Sequence, residues 1–438
     1  MKILKFGGTS VGRPERMQSV ASLVFAEPDP NKVVVLSALS GVTNHLVKIA
    51  ECAAQNAQEE IVAMVKQLET QHQDFAKQLL KTEDAQKKAL VYIQTVMQLL
   101  EKEKNEKVIL AQGELLSTHL FHYYLEEKNV ESRLIPALEF MRIDEHSEPD
   151  LAFITQAIQQ WVSPKTEKGL WVTQGYICRD AQGNIDNLKR GGSDYTASLI
   201  GAALKADEVQ IWTDIDGMHN NDPRYVENTQ PVAELSFDEA AELAYFGAKI
   251  LHPATILPAQ KYNVPVRLLN TMQPQAKGTI IRNLSNDQPD IKSLAAKDGI
   301  VAINIKSSRM LLAYGFLRKI FEIFEKYKTP IDMITTSEVA VSLTIDDTTH
   351  LQNISEEIKE FATVEIDSDQ TIICIVGNRV DEQRAVAGKI FTALQHIPIR
   401  MISFGGSKQN VSLLIQTKHK IAALKALHEG LFQHSLTI

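Results

Sequence analysis

The first ten residues constrain the fold most strongly, because they combine a short apolar strand, a glycine pair and the start of a helix. Residues 3–6 predict a buried strand, which Lys5 interrupts with a charge and which Gly7 and Gly8 follow directly. Glycines in such a turn let backbone N–H groups approach an anion, and the N-terminus of the next helix adds partial positive charge. The stretch matches neither a Walker loop nor a G-x-G-x-x-G fingerprint. Taken alone, it favours an ordinary β-to-α turn over a phosphate site.

Composition narrows the class of protein. A chain of 438 residues predicts two or three domains, and its 44% hydrophobic and 23% charged residues are typical of soluble globular proteins. The net charge of −8, with both signs mixed along the chain, argues against nucleic acid as a main partner. The sequence has no apolar run of about 18 residues and no signal-peptide core, so we expect no membrane association. Cys52, Cys178 and Cys374 lack metal-ligand spacing, so we expect a cytoplasmic protein without a protein-bound metal.

Small and hydroxyl residues follow the second predicted strand, residues 32–37. Open α/β sheets place ligand groups at the carboxyl ends of their strands, so Ser37 and Thr43 are candidates, although a simple turn explains them equally well. Residues 45–106 contain no glycine or proline and predict two or three long helices. We interpret these helices as a scaffold or lid without chemistry.

Gly113 and Glu114 precede a helix that is predicted to run to about residue 129. A glutamate at the N-terminus of a helix usually complements the helix dipole. The alternative is a carboxylate that pairs with a substrate ammonium, and the residues alone leave both open.

A second glycine pair opens another helix within residues 190–194. Arg190 offers a bidentate fork for a carboxylate or phosphate, whereas Asp194 suits either a site or an ordinary N-cap. Two such helix starts, each with a cation, favour an anion site over two capped turns.

A later strand ends in Thr213 and Asp214, which suit a nucleotide pocket. Lys249 follows a further predicted helix, where it could reach a phosphate or remain a surface lysine.

Six motifs together resemble those of the aspartate kinases (aspartokinases) of the amino acid kinase superfamily, and they occur in the family's order. They are Lys5-Phe-Gly-Gly-Thr-Ser10, Gly113-Glu114, Arg190-Gly-Gly-Ser-Asp-Tyr195, Thr213-Asp214, Asp222-Pro-Arg224 and Phe246-Gly-Ala-Lys-Ile-Leu-His-Pro253. The resemblance covers the whole chain and is that of a monofunctional enzyme. It implies an α/β amino acid kinase fold over residues 1–285, with a mainly parallel sheet sandwiched by helices.

The resemblance implies transfer of the γ-phosphoryl group of ATP to the β-carboxylate of L-aspartate, the first step of lysine, threonine and methionine biosynthesis. Mg²⁺ is expected on the phosphates, bound mainly by substrate oxygens and water. The implied catalytic residues are Lys5, which neutralises the transferring group, and Asp194, which orients Lys5. The implied substrate-binding residues are Thr43, Glu114 for the ammonium, Arg190 for the α-carboxylate, and Ser193. The implied ATP-binding residues are Lys5, Gly7, Gly8, Ser10, Thr213, Asp214, Arg224 and Lys249.

The last third predicts a βαββ pattern that occurs twice, roughly 70 residues apart. It resembles the tandem ACT domains of aspartokinases, which are ferredoxin-like regulatory domains. We place them at residues 296–370 and 371–438, with the first strand shared between the two. The resemblance implies that chains pair through these domains as a homodimer or homotetramer, and a generic ferredoxin-like addition is the alternative.

The resemblance also implies feedback inhibition by an amino acid that binds between a helix start and a neighbouring strand. The implied positions are Met310, Tyr314, Gly315, Phe316, Leu317, Asp332, Thr336, Ser337 and Glu338. Backbone N–H groups near Gly315 can take an α-carboxylate. Asp332 could pair with an ε-ammonium, which favours lysine over threonine as the effector, although Asp332 could instead cap a turn.

Two other functions remain open at this point. One is a different amino acid kinase, acting on acetylglutamate or glutamate, against which the motif at residues 190–195 and the repeated tail argue. The other is a non-catalytic amino-acid sensor, against which the presence of Lys5 and Asp194 argues.

Overall fold

The computed structural model describes residues 1–162, 169–189, 191–247, 252–283, 290–307, 314–383 and 385–432. The chain divides into two compact units. The first comprises Met1–Met218, Ala233–Phe237 and Ile250–Leu284, and the second comprises His219–Val232, Asp238–Lys249 and Ser285–Ile438. Two short segments inside the predicted catalytic region therefore belong to the second unit.

The first unit is built on an eight-stranded sheet and a small hairpin. Its strands are β1 (Lys2–Phe6), β2 (Asn31–Leu36), β3 (Arg133–Ile135), β4 (Gly169–Gln174), β5 (Ile177–Arg179), β6 (Ile185–Asn187), β7 (Glu208–Thr213), β8 (Glu234–Leu235), β9 (Val266–Asn270) and β10 (Thr279–Ile281). The sheet order is β3-β4-β2-β1-β7-β9-β10-β8, and β5 and β6 form the hairpin. Every pair of neighbours in the sheet is parallel except β9 and β10. The predicted, mainly parallel sheet is confirmed, and β1 lies near its middle.

Helices connect and cover these strands. They are α1 (Gly8–Val11), α2 (Pro14–Ala26), α3 (Val42–Ala54), α4 (Gln58–Leu79), α5 (Glu83–Leu100), α6 (Glu106–Glu127), α7 (Leu151–Ile158), α8 (Gly192–Leu204), α9 (Phe237–Tyr245) and α10 (Pro253–Lys261). The glycine-free stretch forms α3, α4 and α5, as predicted, and α8 packs on β1 and β7. Among the described helices, none has the length and apolar character needed to cross a membrane.

The helix that contains Glu114 begins earlier than predicted. α6 starts at Glu106 because Asn105 caps it, with a side chain that accepts hydrogen bonds from two backbone N–H groups of the first turn. Glu114 therefore lies in the third turn of α6, where the helix dipole cannot account for a carboxylate. The interpretation as a dipole-complementing residue is wrong.

The second unit is built on a six-stranded antiparallel sheet. Its strands are β11 (Asp290–Lys306), β12 (Ile334–Thr336), β13 (Ala340–Ile345), β14 (Thr363–Asn378), β15 (Met401–Phe404) and β16 (Asn410–Gln416). Its further helices are α11 (Phe316–Lys326), α12 (Leu351–Lys359), α13 (Val386–Ala393) and α14 (Lys420–Phe432). The sheet order is β12-β13-β11-β14-β16-β15. β11 and β14 are longer than predicted because they pair with each other along most of their length.

Two apolar cores divide the second unit into two lobes. The core of the first lobe joins the second half of β11 to β13, α11 and α12. The core of the second lobe joins the first half of β11 to the second half of β14, β16, α13 and α14. A register shift near Gly299, where φ is 77°, separates the halves of β11. Each lobe thus packs two helices against its strands, and the long strand β11 contributes one half to each core.

Candidate active site

A buried ion pair between Lys5 and Asp194 forms the centre of the candidate site. Lys5 lies near the carboxyl end of β1 and Asp194 in the first turn of α8, and Nζ and Oδ1 are 2.6 Å apart. The two side chains are only 10% and 18% exposed, so solvent screens their attraction weakly. The structure therefore brings together the two residues that are predicted to be catalytic.

The first glycine pair brings the backbone after β1 close to the neighbouring strand ends. A Cβ on Gly8 would lie 2.8 Å from the carbonyl oxygen of Ala38, so a side chain does not fit there. The N–H of Gly7 donates to the carbonyl of Trp212 at 3.3 Å, so it would have to leave that bond to bind a phosphate. Ser10 is buried, and its Oγ lies 2.7 Å from Oγ1 of Thr271.

The second glycine pair allows the start of α8 to pack closely against neighbouring residues. Gly191 has a φ of 82°, in the left-handed region that favours glycine, and a Cβ there would lie 2.4 Å from Cγ2 of Thr255. A Cβ on Gly175, after β4, would lie 2.3 Å from Oγ of Ser193. Ser193 is buried, beside Asp194 in the first turn. The predicted substrate residue Arg190 lies outside the described residues.

Glu114 is a buried carboxyl group with an unused acceptor. Its Oε1 accepts a hydrogen bond from the backbone N–H of Ala38 at 3.2 Å, and its Oε2 is buried without a partner among the described residues. Burial raises the pKa of Glu114 to about 8. Because Gly8 and Glu114 both contact Ala38, this carboxyl lies next to the first glycine turn. Such a group is suited to receive a ligand cation.

Tyr176 is a residue of this region that the sequence analysis missed. It has a φ of 68°, and its backbone N–H donates to Oγ1 of Thr196 in α8 at 2.9 Å. Burial, together with the nearby Glu114, raises the pKa of Tyr176 to about 12. No sequence signal shows that this residue adopts a positive φ, a conformation that the chain also uses at ordinary helix ends such as Lys205. Thr43 lies in the first turn of α3, partly exposed.

The predicted nucleotide residues are only partly brought together. Thr213 ends β7, and its Oγ1 donates to Oδ1 of the exposed Asp214 at 3.1 Å. Arg224 belongs to the second unit, where its guanidinium forms an ion pair with Asp222 at 2.6 Å. Lys249 lies outside the described residues. Within the described ranges, no cluster of three or more His, Cys, Asp or Glu side chains is arranged to hold a metal ion.

The predicted effector residues lie in the first lobe. Gly315, with a φ of 86°, caps α11, and the ring of Phe316 packs edge-on against Phe361. Tyr314 and Leu317 are exposed, as are Thr336 at the end of β12 and Ser337 and Glu338 in the turn that follows it. Met310 lies outside the described residues.

Asp332 has a buried charged side chain, whereas Glu338, the other acidic residue of this set, is exposed. The side chain of Asp332 is 2% exposed and forms an ion pair with Lys297 at 2.8 Å. In the described part of the chain, no backbone N–H donates to its carboxylate, so the alternative of a turn cap is not supported. An effector ammonium at Asp332 would meet a carboxylate that is already paired.

Models of two protein families match the chain. The amino acid kinase family matches residues 1–270, and the ACT domain matches residues 373–431. The chain is also similar to curated proteins over nearly its whole length. It is 32% identical over 445 residues to the lysine-sensitive aspartokinase 3 of Escherichia coli, covering 98% of this chain and 99% of that protein. It is 35% identical over 469 residues to the chloroplastic aspartokinase 2 of Arabidopsis thaliana, covering 98% and 84%.

Solved structures agree with these relatives. E. coli aspartokinase III in complex with aspartate and ADP (R-state) is 32% identical, with a TM-score of 0.84 over 99% of this chain and 100% of that one. The same enzyme in complex with lysine and aspartate (T-state) gives a TM-score of 0.81 over 99% of both chains, also at 32% identity. Clostridium acetobutylicum aspartate kinase, at 26% identity, gives 0.85 over 98% and 100%. The predicted fold class is confirmed, and the chain belongs to the amino acid kinase family and, within it, to the aspartokinases.

Proposed function

We propose that this chain transfers the γ-phosphoryl group of ATP to the β-carboxylate of L-aspartate, giving 4-phospho-L-aspartate and ADP. The observation that carries the proposal is the buried Lys5–Asp194 pair at the end of β1, between two glycine turns that open helices. Glu114, with its unused buried oxygen, adds a place for the substrate ammonium.

The reaction needs positive charge more than it needs a base. The β-carboxylate has an ordinary pKa near 4, so it is ionised at neutral pH and attacks without losing a proton. One of its oxygens forms the new bond to the γ-phosphorus. The bond from that phosphorus to the β,γ-bridging oxygen breaks, and its electron pair leaves on ADP. Two anions must approach each other, so catalysis consists of positioning and charge neutralisation.

Lys5 supplies that charge in our proposal. Asp194 holds the ammonium of Lys5 at 2.6 Å and so keeps it aimed before substrate arrives. Because the pair is poorly exposed, its field acts through a low effective dielectric and is stronger than it would be in water.

Aspartate would be held through its α-amino and α-carboxylate groups. Glu114 would pair with the α-ammonium through Oε2, which regains a charge partner in the complex. Arg190 would hold the α-carboxylate, and Ser193 and Thr43 would assist. ATP would enter as its Mg²⁺ complex, with the ion bound mainly by phosphate oxygens and water, beside Gly7, Gly8, Ser10, Thr213 and Asp214. Arg224 and Lys249 stay predictions for the ATP side.

We also propose that lysine inhibits the enzyme through the second unit. The E. coli relative is named lysine-sensitive, and its structure was solved with lysine. In this chain, the support is Asp332, whose Oδ2 is buried without a partner in the described part of the structure. Pairing of two chains is a further proposal, supported by apolar side chains exposed on the edge strands β12 and β15, namely Ile334, Ile402 and Phe404.

A coupled assay of ADP release tests the main proposal. We expect ADP release with L-aspartate and none above background with acetylglutamate or glutamate at equal concentration. Preferred turnover of acetylglutamate or glutamate would replace the assigned substrate, and absence of turnover with all three would favour a non-catalytic sensor.

A further inference from the structure

A pair of buried hydroxyl groups links two separate elements of the candidate active site. Oγ of Ser10, in α1, lies 2.7 Å from Oγ1 of Thr271, the residue that follows β9. Ser10 is 1% and Thr271 is 6% exposed, so little water reaches the two hydroxyl groups. Ser10 is one of the predicted ATP residues, whereas no motif in the sequence singled out Thr271. We refer to Ser10 and Thr271 as the hydroxyl pair.

Backbone hydrogen bonds hold both members of the hydroxyl pair against the end of β7. The N–H of Thr271 donates to the carbonyl of Thr213, the last residue of β7, at 2.8 Å. The preceding carbonyl, that of Trp212, accepts from the N–H of Gly7 at 3.3 Å, and the carbonyl of Gly7 accepts from the N–H of Ser10 at 2.9 Å. The first glycine turn and the end of β9 are therefore tied to the same strand end, where sheets of this kind bind ligands.

The hydroxyl pair has one hydrogen atom more than it uses. Each hydroxyl group can donate one hydrogen bond, and only one of the two hydrogens can lie between the two oxygens. Neither side chain makes another hydrogen bond to the part of the chain that the structure describes. A buried donor without an acceptor is unfavourable, so the second hydrogen is available to an oxygen atom of a ligand.

The positions of the two residues indicate which hydrogen stays available. Ser10 belongs to the segment that begins with the first glycine turn, whereas Thr271 lies behind it and is fixed by its backbone to Thr213. If Thr271 donates to Ser10, the hydrogen of Ser10 is free to point towards a phosphate. A hydroxyl group that accepts a hydrogen bond also becomes a stronger donor, because the two bonds polarise each other.

We propose that Thr271 is a positioning residue of the nucleotide site, whose hydroxyl donates to Ser10 and orients the hydroxyl of Ser10 towards a phosphate oxygen. The proposal rests on the proposed function in taking ATP or ADP as the ligand. Phosphate oxygens are negatively charged acceptors, so they complete the chain of hydrogen bonds that the hydroxyl pair leaves open. Thr271 acts through Ser10 and does not contact the nucleotide itself.

The first test measures binding of ADP with Mg²⁺ by calorimetry, without aspartate. Thr271→Val keeps the shape of the side chain and the backbone bond to Thr213 but removes the donor, so the Kd for ADP should rise about fivefold. Thr271→Ser keeps the hydroxyl group and should bind ADP within about twofold of the wild type. An unchanged Kd in Thr271→Val, or equal rises in Thr271→Val and Thr271→Ser, would overturn the proposal.

Thr173 provides the matched control for loss of a buried hydroxyl group. It lies in β4 of the same sheet, it is fully buried, and its Oγ1 has no partner among the described residues. Thr173→Val should therefore leave the Kd for ADP unchanged, and a rise equal to that in Thr271→Val would overturn the proposal. If Thr271→Val does not fold, the comparison of Thr271→Ala with Thr271→Ser carries the same test, because only the serine keeps a hydroxyl group.

The second test is a double-mutant cycle on the hydroxyl pair. Ser10→Ala removes the group that faces the phosphate, so the Kd for ADP should rise at least about tenfold. The double variant Ser10→Ala/Thr271→Val should bind within about twofold of Ser10→Ala, since Thr271 acts through Ser10. Additive losses would assign Thr271 an independent role, and a larger loss in Thr271→Val than in Ser10→Ala would make Thr271 the direct partner. Either result would overturn the positioning role.

Steady-state kinetics separate this proposal from the proposed function. In Thr271→Val, KM for ATP should rise about fivefold while kcat and KM for aspartate change by less than about twofold, as expected when only nucleotide binding is weakened. Equal rises in KM for both substrates would indicate general damage to the site and would overturn the proposal. Weaker ADP binding in Thr271→Val, without phosphoryl transfer to aspartate by the wild type, would refute the proposed activity and leave the role of Thr271 standing.

Discussion

The pH dependence of kcat/KM for aspartate should report the ionisation of the buried carboxyl group of Glu114. Burial raises its pKa to about 8, and its Oε2 has no partner in the described part of the site. A carboxyl with this pKa is ionised in roughly one molecule in ten at pH 7. Only the ionised form can pair with the ammonium of aspartate. The value of kcat/KM for aspartate should therefore rise about tenfold between about pH 6 and 7 and level off above about pH 8.

The same pKa shift predicts how stability changes with pH. The pKa rises from 4.5, the ordinary value, to about 8 in the folded chain, so the folded state binds more protons than the unfolded state over that interval. The contribution to stability is fully present below pH 4.5 and is lost as the pH rises through the folded pKa near 8. For an isolated buried group, the loss amounts to up to about 5 kcal/mol. Saturating aspartate should oppose this loss, because its ammonium compensates the buried charge.

The assay compares kcat/KM profiles of the wild type and Glu114→Gln over the same pH range. Glutamine has nearly the same shape as glutamate but cannot titrate. In Glu114→Gln, kcat/KM for aspartate should therefore no longer rise with pH, and at pH 8 it should be at least about tenfold lower than in the wild type. The value of kcat/KM for ATP should change little in this variant. Glu106→Gln, an exposed position in the first turn of the same helix, serves as the control and should keep the wild-type profile. A Glu114→Gln variant with the wild-type slope would refute the reasoning.

Three further outcomes follow from the same geometry. Lys5→Met should lower kcat by about 10²–10³ with unchanged circular dichroism, since it removes the charge that Asp194 holds in place, and near-normal kcat would reject that role. Gly175→Ala should destabilise the first unit by about 1–3 kcal/mol in urea unfolding and impair turnover, because its Cβ would lie 2.3 Å from Oγ of Ser193. Gly388→Ala, which meets no atom within 4 Å, should do neither, and equal losses in both would argue against the clash. Asp332→Ala should raise the lysine concentration for half inhibition by at least about tenfold, and an unchanged inhibition curve would exclude Asp332 from the effector site.

The family and the reaction could be predicted from the sequence because short motifs carry them. The turn after Phe6 and the turn before Asp194 each require glycine, because the backbone at each helix start comes close to neighbouring atoms. Glycine pairs of this kind can be recognised in the sequence. The mainly parallel sheet was predicted through the resemblance, and hydrophobic periodicity located individual strands and helices, because it reports burial directly. The resemblance also implied that Asp194 orients Lys5, and the structure adds the distance of 2.6 Å between Nζ and Oδ1 and the low exposure of the pair.

The environment of Glu114 could not be predicted, because it depends on packing between separate elements. The sequence suggested a helix start near Gly113, but the cap at Asn105 moves the start by two turns and buries the carboxyl against Ala38. A pKa near 8 follows from that burial and from nothing in the local sequence. Arg190 and Lys249 stay predictions.

The sequence by itself determined the class of this protein: an aspartokinase with a repeated C-terminal region, recognisable because glycine turns and strand periods are local properties of the chain. Only the tertiary structure decided that Asp332 is already paired, since Lys297 and Tyr245 approach it from β11 and from α9, 35 and 87 residues away in sequence. Ion pairs and hydrogen bonds depend on distances of a few ångströms between such segments. Those distances arise when the whole chain packs, and no motif records them.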